Sequence, residues 1–212
     1  MYPAAMDDFV KSPAPAEGRG GRHPALSLPN ILTYGRIAAV PVLVVCQYLL
    51  EGELRHWVAF AVFAAASMTD WLDGYLARIW SQQSAIGRML DPIADKLLVG
   101  ATLLMLVFDR TITGPAIFAA AIILCREILV SGLREYLAEL NVKVLVSKLA
   151  KWKTAVQMVA LAVLLIGPAG ERFVPGTITL GLSLMWLAAI LTLWTGFDYL
   201  KAAMARALEE GR

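Results

Sequence analysis

Residues 70–95 read D-W-L-D-G-Y-L-A-R-I-W-S-Q-Q-S-A-I-G-R-M-L-D-P-I-A-D and contain four aspartates at regular spacings. Asp70 and Asp73 lie three residues apart near the end of one apolar run, while Asp91 and Asp95 lie four apart at the start of the next. In a helix, either spacing places both carboxylates on one face. Because only a short polar stretch joins the two runs, we predict two antiparallel neighbouring helices on which all four carboxylates converge.

The composition is that of a membrane protein. The chain has 212 residues, of which 58% are apolar and 17% charged, and its mean hydropathy is +0.64. A soluble domain is normally much less apolar. Crossing the hydrocarbon core takes roughly 20 mostly apolar residues, and six runs approach that length: Ile31–Leu50, His56–Trp80, Asp91–Phe108, Thr111–Leu140, Thr154–Ile166 with the basic residues before it, and Phe173–Phe197. We therefore expect an all-α membrane protein with six transmembrane helices.

The distribution of Lys and Arg predicts the orientation, because basic connections stay on the cytoplasmic side. Basic residues lie in the N-terminal segment, the second and fourth connections and the tail: Arg19, Arg22, Arg78, Arg88, Arg134, Lys143, Lys148, Lys151, Lys153, Lys201, Arg206 and Arg212. The other three connections have no positive excess. We expect both termini, and a cavity lined by the aspartates, on the cytoplasmic side.

Two regions are expected along the chain. Residues 1–25 contain four prolines and three glycines, and such a segment buries too little apolar surface to offset the entropy of ordering. We expect residues 1–25 to be a flexible cytoplasmic arm and residues 26–212 to form the membrane domain.

Acidic side chains within apolar segments need an explanation, because each costs about 2.5–3.5 kcal/mol on insertion scales. Four carboxylates cannot all be ionised in a small site without cations, and ligation by oxygen alone selects hard ions such as Mg²⁺ or Mn²⁺. Two such ions about 3.5–4 Å apart suit a displacement at phosphorus. On spacing alone two other interpretations stay open: buried ion pairs with Arg78 and Arg88, or a proton relay in a transporter.

The segments D-W-L-D-G-Y-L-A-R and G-R-M-L-D-P-I-A-D are separated by eight residues. This arrangement resembles the signature of the CDP-alcohol phosphatidyltransferase family, D-x-x-D-G-x-x-A-R followed by G-x-x-x-D-x-x-x-D, at every defining position. The resemblance implies a six-helix membrane fold, usually a homodimer, with a cytosol-facing cavity for CDP-diacylglycerol. It also implies that an acceptor alcohol attacks the lipid-bearing β-phosphorus and CMP leaves, with catalysis mostly by positioning and electrostatics.

The resemblance further implies roles for individual residues. Asp70, Asp73, Asp91 and Asp95 would ligate two divalent cations, Mg²⁺ or Mn²⁺, and Asp95 would also be the base that deprotonates the acceptor hydroxyl. The CDP-lipid would be bound by Asn30, Thr33, Gly74, Ala77, Arg78, Ser84 and Gly87. The small members of that set leave room for a ligand, and the arginine has the planar fork that suits a diphosphate. For Asn30, a helix N-terminal role is an alternative.

A second cluster of charge is basic and lies in the fourth and fifth helices. Arg126 and Arg134 are each four residues from Val130, so they share one side of a helix, and Lys148 and Lys151 share a face in the same way. Because Arg forks match phosphate geometry, the cluster predicts an anion site. For the lysines, membrane anchoring by snorkelling is the alternative.

The stretches R-E-I-L-V-S-G-L-R-E and K-W-K-T, which begin at Arg126 and Lys151, resemble the branch of the family whose acceptor is glycerol 3-phosphate. In that branch the acceptor phosphate would be held by Arg126, Arg134 and a lysine of the pair Lys151 and Lys153, with Ser131 and Lys148 nearby. Branches that use phosphatidylglycerol, inositol phosphate or serine stay open. We expect a multi-pass homodimer in a bacterial cytoplasmic (inner) membrane. Its expected partners are CDP-diacylglycerol, glycerol 3-phosphate and the lipid bilayer, without nucleic acid.

Overall fold

The computed structural model describes residues 28–80, 85–140 and 148–210, and in them the chain forms six α-helices. These are α1 (Leu28–Leu49), α2 (Gly52–Trp80), α3 (Ala85–Phe108), α4 (Ala116–Glu139), α5 (Lys148–Glu171) and α6 (Thr177–Glu210). The all-α prediction is confirmed for these residues. The predicted arm, residues 1–25, lies outside the described residues, so its flexibility stays a prediction.

Four of the described helices, α1, α4, α5 and α6, are long and apolar enough to cross a membrane. The other two contain 29 and 24 residues, about 43 and 36 Å at 1.5 Å per residue, which exceeds the roughly 30 Å hydrocarbon core. Length is therefore not what separates α2 and α3 from the rest. They differ in carrying charged residues within their apolar sequence, among them Asp70 on α2 and Asp91, Asp95 and Lys96 on α3. The described helices are those of a membrane protein, and two of them carry the four aspartates of the signature.

The third connection departs from the predicted helix boundaries. The prediction starts the fourth helix at Thr111, whereas α4 starts at Ala116. Arg110 and Gly114 have φ values of 62° and 54°, and the backbone N–H of Thr111 donates to Asp109 Oδ1 at 2.9 Å. A turn with two left-handed residues and a side-chain hydrogen bond therefore separates the end of α3 from the start of α4. Hydropathy does not reveal such a turn. At the other end of the chain, α6 is longer than predicted and continues to Glu210.

Helix α1 is the common packing partner of α2 and α3. It packs extensively against both, whereas α2 and α3 make few contacts with each other within the described ranges. The direct contact of α2 and α3 was predicted around residues 81–84, which lie outside the described part, so it stays a prediction. Two helix faces that both carry carboxylates repel each other, and a third helix that offers a cation can separate them.

The bundle has two chemically different ends. At one end, Tyr48 of α1 lies 6.2 Å from Phe108 of α3, and Trp57 of α2 lies 6.2 Å from Phe173, between ring centres. Aromatic residues at helix ends are typical of a membrane–water interface. We name this the aromatic end, and the opposite one, where α2 ends and α3 begins, the aspartate end.

Helices α5 and α6 pack most closely around a glycine. A Cβ atom at Gly181 would lie 2.8 Å from both Cγ and Cδ2 of Leu164, and 3.3 Å from Cγ1 of Val163. Small residues let membrane helices approach in this way, so that van der Waals contact between them is extensive. The α5–α6 contact, the most extensive in the bundle, therefore depends on the absence of a side chain at this position.

We expect Gly181→Ala to lower the free energy of unfolding by about 1–3 kcal/mol, the usual cost of overpacking a well-filled contact. Gly35→Ala on α1 is the matched control, because no described atom lies within 4 Å of its Cβ position. Thermal unfolding of the two variants in detergent measures the difference. Equal melting temperatures would contradict this account of the packing.

Candidate functional site

An arginine of α1 stands at the centre of the aspartate end. Arg36 Nη1 lies 3.0 Å from Asp70 Oδ1 on α2 and 2.7 Å from Asp95 Oδ1 on α3. The Arg36 side chain is fully buried, while each carboxylate is 47% exposed. A buried charge persists only when it is paired. One guanidinium nitrogen therefore holds carboxylates from two different helices side by side.

A second residue of α1 contacts a third aspartate. Thr33 Oγ1 donates a hydrogen bond to Asp91 Oδ1 at 2.5 Å. Because Thr33 lies three residues before Arg36, both side chains are on one face of α1. This face contacts three of the four predicted metal ligands. The predicted contact of Thr33 with the CDP-lipid stays a prediction.

The donor set at the aspartate end fits a hard divalent cation. Asp70 and Asp95 present partly exposed carboxylate oxygens, the ligands that Mg²⁺ and Mn²⁺ prefer. Among the side chains described, no three His, Cys, Asp or Glu residues form a ligand group. The side chain of Asp73 lies outside the described part. The chemistry of these residues therefore suits the ions, and the assembly of all four carboxylates stays a prediction.

A cavity of about 240 Å³ at the aspartate end joins the acidic cluster to the basic one. Its charged and polar lining comes from all six described helices and includes Arg36, Asp70, Asp95, Arg126, Glu127, Arg134, Lys153, Gln157 and Tyr199. The predicted anion site and the predicted aspartate site therefore lie in the same cavity. Two segments far apart in the sequence therefore line one cavity.

The guanidinium of Arg126 is hydrogen-bonded to α6. Its Nε donates to the carbonyl oxygen of Thr192 at 2.9 Å, and its Nη2 donates to Thr195 Oγ1 at 2.8 Å. Gly196 provides the space, since a Cβ atom there would lie 3.3 Å from both Cγ and Nε of Arg126. Two of the three guanidinium nitrogens are used by α6. Arg126 is therefore anchored more firmly than a ligand-binding arginine on a free helix face.

The other two cations of the basic cluster also have partners. The guanidinium carbon of Arg134 lies 5.5 Å from the centre of the Tyr199 ring, within the range of a cation–π contact. Lys153 donates to Glu127 Oε1, and Arg126 Nη1 lies 3.6 Å from the same oxygen. Three cations thus face one carboxylate, which leaves this part of the cavity positively charged.

Several predicted site residues are not brought to the cavity or fall outside the description. Ser131 is half-buried on α4, and Asn30 and Gly87 are buried on α1 and α3, but none of the three lines the cavity. Side chains outside the described part are those of Asp73, Gly74, Ala77, Arg78, Lys148 and Lys151, and Ser84 falls in the undescribed residues 81–84. The roles predicted for all of these residues stay predictions.

The structure adds residues that the sequence analysis did not assign to the site. Arg36 carries the only formal charge of the first apolar run, and a lone charge in an apolar helix indicates a buried partner. On α6, Thr192, Thr195 and Tyr199 recur at spacings of three and four and so share one face of the helix. Gln157 gave no signal by itself, because a single glutamine in a helix is ordinary.

Comparisons with known proteins agree with this geometry. A model of the family described as CDP-alcohol phosphatidyltransferase matches residues 26–194. A Rickettsia bellii protein named CDP-diacylglycerol–glycerol-3-phosphate 3-phosphatidyltransferase is 44% identical over 176 residues, which cover 83% of this chain and 94% of the relative. A Cereibacter sphaeroides protein of the same name is 37% identical over 217 residues, covering 87% and 98%.

One relative has a different name. A rice protein named cardiolipin synthase (CMP-forming) is 41% identical over 192 residues, which cover 83% of this chain and 57% of the relative. The signature, the cavity that it lines and the family match over most of the sequence agree, and the chain belongs to the CDP-alcohol phosphatidyltransferase family.

Proposed function

We propose that this membrane enzyme transfers the phosphatidyl group of CDP-diacylglycerol to glycerol 3-phosphate, forming phosphatidylglycerophosphate and releasing CMP. The observation that carries the proposal is the shared cavity, which Asp70 and Asp95 line together with Arg134 and Lys153. Glycerol 3-phosphate needs a base for its hydroxyl and cations for its phosphate, and this cavity offers both. The names of the Rickettsia bellii and Cereibacter sphaeroides relatives support the same reaction.

In the proposed reaction Asp95 takes the proton of the acceptor's primary hydroxyl. The hydroxyl oxygen then forms a bond to the lipid-bearing β-phosphorus, the bond from that phosphorus to CMP breaks, and CMP leaves with the electron pair. The contact of 2.7 Å between Arg36 and Asp95 fixes the orientation of the base. Such positioning supplies much of the rate in displacements of this kind.

The acceptor phosphate would lie between Arg134 and Lys153. The ring of Tyr199 orients the Arg134 guanidinium, and Glu127 orients the Lys153 ammonium. Arg126 adds positive charge from a fixed position on α4. A phosphate monoester carries a charge of about −1.5 to −2 at neutral pH, which suits a cluster of three cations and one carboxylate.

We further propose that Asp70, Asp73, Asp91 and Asp95 hold two divalent cations, Mg²⁺ or Mn²⁺. When bound, such ions neutralise the charge of a diphosphate and of the leaving CMP. Arg36 and Thr33 keep three of the carboxylates in place. The CDP-lipid itself would contact Asn30, Thr33, Gly74, Ala77, Arg78, Ser84 and Gly87, as the family resemblance implies.

Phosphatidylglycerol is the second candidate acceptor, because the rice relative is named a cardiolipin synthase. Its phosphodiester carries one negative charge, whereas the basic cluster has a surplus of two positive charges. Glycerol 3-phosphate matches that surplus better. The transporter alternative has no support from the family to which the chain belongs.

We expect each of Asp70→Asn, Asp73→Asn, Asp91→Asn and Asp95→Asn to lower turnover by about a hundredfold or more, the scale seen when one electrostatic group of an active site is removed. CMP release from CDP-diacylglycerol in detergent, with saturating Mn²⁺, is the assay, and a chelator should abolish the native activity reversibly. Asp109→Asn is the matched control at the aromatic end, because an amide oxygen can still accept the hydrogen bond from Thr111. Near-native turnover in any of the four would remove that aspartate from the site.

We expect Arg134→Ala to raise the apparent KM for glycerol 3-phosphate by about ten- to a hundredfold, because a charge-assisted contact to phosphate contributes about 1.5–3 kcal/mol. The apparent KM for CDP-diacylglycerol should change little, and glycerol should be a poor substrate of the native enzyme. Arg172→Ala, which removes an exposed ion pair with Glu53 at the aromatic end, should leave both constants unchanged. The acceptor assignment is wrong if glycerol serves as well as its phosphate, or if only phosphatidylglycerol reacts.

We also propose that all six helices cross the membrane with both termini and the aspartate end in the cytoplasm. The basic bias of the alternate connections supports this orientation. In a variant without its two native cysteines, Glu51→Cys should react with an impermeant thiol reagent added to intact cells, and Lys201→Cys should not. Both positions are exposed, and the reverse pattern would invert the topology.

The homodimer and the bacterial inner-membrane location are proposals that rest on the family resemblance alone. Native mass spectrometry of the detergent-solubilised chain gives the number of copies directly, and a monomer at physiological lipid content would contradict the dimer.

A further inference from the structure

One polar group in the cavity has no assigned task. Gln157 on α5 is 3% exposed and lines the cavity. Its Oε1 has no hydrogen-bond partner among the described residues. A buried acceptor without a partner is destabilising, so such a group in a native protein is normally satisfied by a ligand, an ion or water. Its place in a substrate cavity favours a ligand that brings a donor.

The position of Gln157 relative to the basic cluster narrows the choice of ligand. Lys153 lies four residues earlier on the same helix and is also buried and part of the lining. Residues four apart occupy one face, one turn or about 5.4–6 Å apart along the helix. A ligand whose phosphate contacts Lys153 would therefore present to Gln157 a group that lies close to that phosphate along the ligand's carbon chain.

The chemistry of the proposed acceptor supplies such a group. Glycerol 3-phosphate has a phosphate, a primary hydroxyl that reacts and a secondary hydroxyl between them. The basic cluster accounts for the phosphate and Asp95 for the primary hydroxyl, which leaves the secondary hydroxyl. Of the other polar lining, Ser67 already donates its hydroxyl to the backbone oxygen of Phe63 at 2.7 Å. Gln157 Oε1 is the buried lining oxygen whose accepting capacity is unused within the described part of the cavity.

We propose that Gln157 binds the secondary hydroxyl of glycerol 3-phosphate through Oε1 and so selects acceptors that carry a hydroxyl between the phosphate and the reacting carbon. The proposal rests on the function proposed above and adds a specificity-determining residue to it. No covalent step changes: the secondary hydroxyl donates a hydrogen bond and keeps its proton. Its effect is to fix the three-carbon chain so that the primary hydroxyl points to Asp95.

The test deletes each partner of this hydrogen bond in turn. CMP release is measured for the native enzyme and for Gln157→Met, each with glycerol 3-phosphate and with 3-hydroxypropyl phosphate, which lacks only the secondary hydroxyl. The native enzyme should prefer glycerol 3-phosphate by about tenfold in kcat/KM, since a neutral hydrogen bond and the unpaired acceptor left without it are together of that size. Gln157→Met should lose activity with glycerol 3-phosphate by a similar factor and show no preference between the two acceptors.

Controls separate recognition from a merely structural effect. Gln47→Met on α1 replaces another buried glutamine, one whose amide atoms also have no described partner but which does not line the cavity. This variant should keep the native preference, whatever its stability. Gln157→Leu replaces Gln157→Met in the test if the latter does not fold. The apparent KM for CDP-diacylglycerol should be the same in all variants.

The outcomes distinguish this inference from the proposed function. If the native enzyme uses both phosphates equally, or if the Gln157 variant keeps the native preference, the inference is wrong while the proposed reaction stands. An equal loss with both acceptors makes Gln157 structural and also overturns the inference. If neither phosphate releases CMP from the native enzyme, the proposed reaction itself fails.

Discussion

A single buried guanidinium, shared by carboxylates from two helices, determines how α1, α2 and α3 are arranged. Taking a charge out of water costs several kcal/mol, and only close partners offset that cost. Arg36 has no exposed atoms in its side chain, so Asp70 and Asp95 have to reach it. That requirement places α1 in contact with both acidic helices and brings Asp70 and Asp95 to one cavity wall. The active site and the packing of this half of the bundle are thus two consequences of one ion cluster.

The sequence predicted the helices and the acidic half of the site well. Aspartates at spacings of three and four inside apolar runs specify both a helix face and a chemistry, so Asp70 and Asp95 could be placed at one site before any coordinates. The contact of Arg36 with both could not be derived in the same way. Pairing between residues 34 and 59 positions apart depends on which helices pack together, and local spacing does not show that α1 packs against both acidic helices.

The basic half of the site was predicted from its charged residues, and the structure adds the contacts that hold those residues in place. Local spacing identified Arg126 and Arg134, but it did not show that one is tied to α6 and the other stacked on an aromatic ring. For the sixth helix only the hydropathy was informative before the structure was known. Hydropathy is an average over many residues, so it does not single out the few polar positions that contact Arg126. A threonine hydroxyl and a backbone carbonyl that bind an arginine leave no periodic signal of their own. The turn before α4 was missed for a related reason, since backbone conformation stops that helix within an apolar run.

The close contact of Gly196 with Arg126 limits how helices of this protein can be exchanged with those of its relatives. Gly196 and the two hydrogen bonds beside it fix the register of α6 against α4. A shift of one residue along the axis, about 1.5 Å, would break those bonds and bring a side chain against the guanidinium. The two helices should therefore be exchanged together. In a chimaera with α4 from one parent and α6 from another, the Arg126 side chain keeps its position only if both parents share this register.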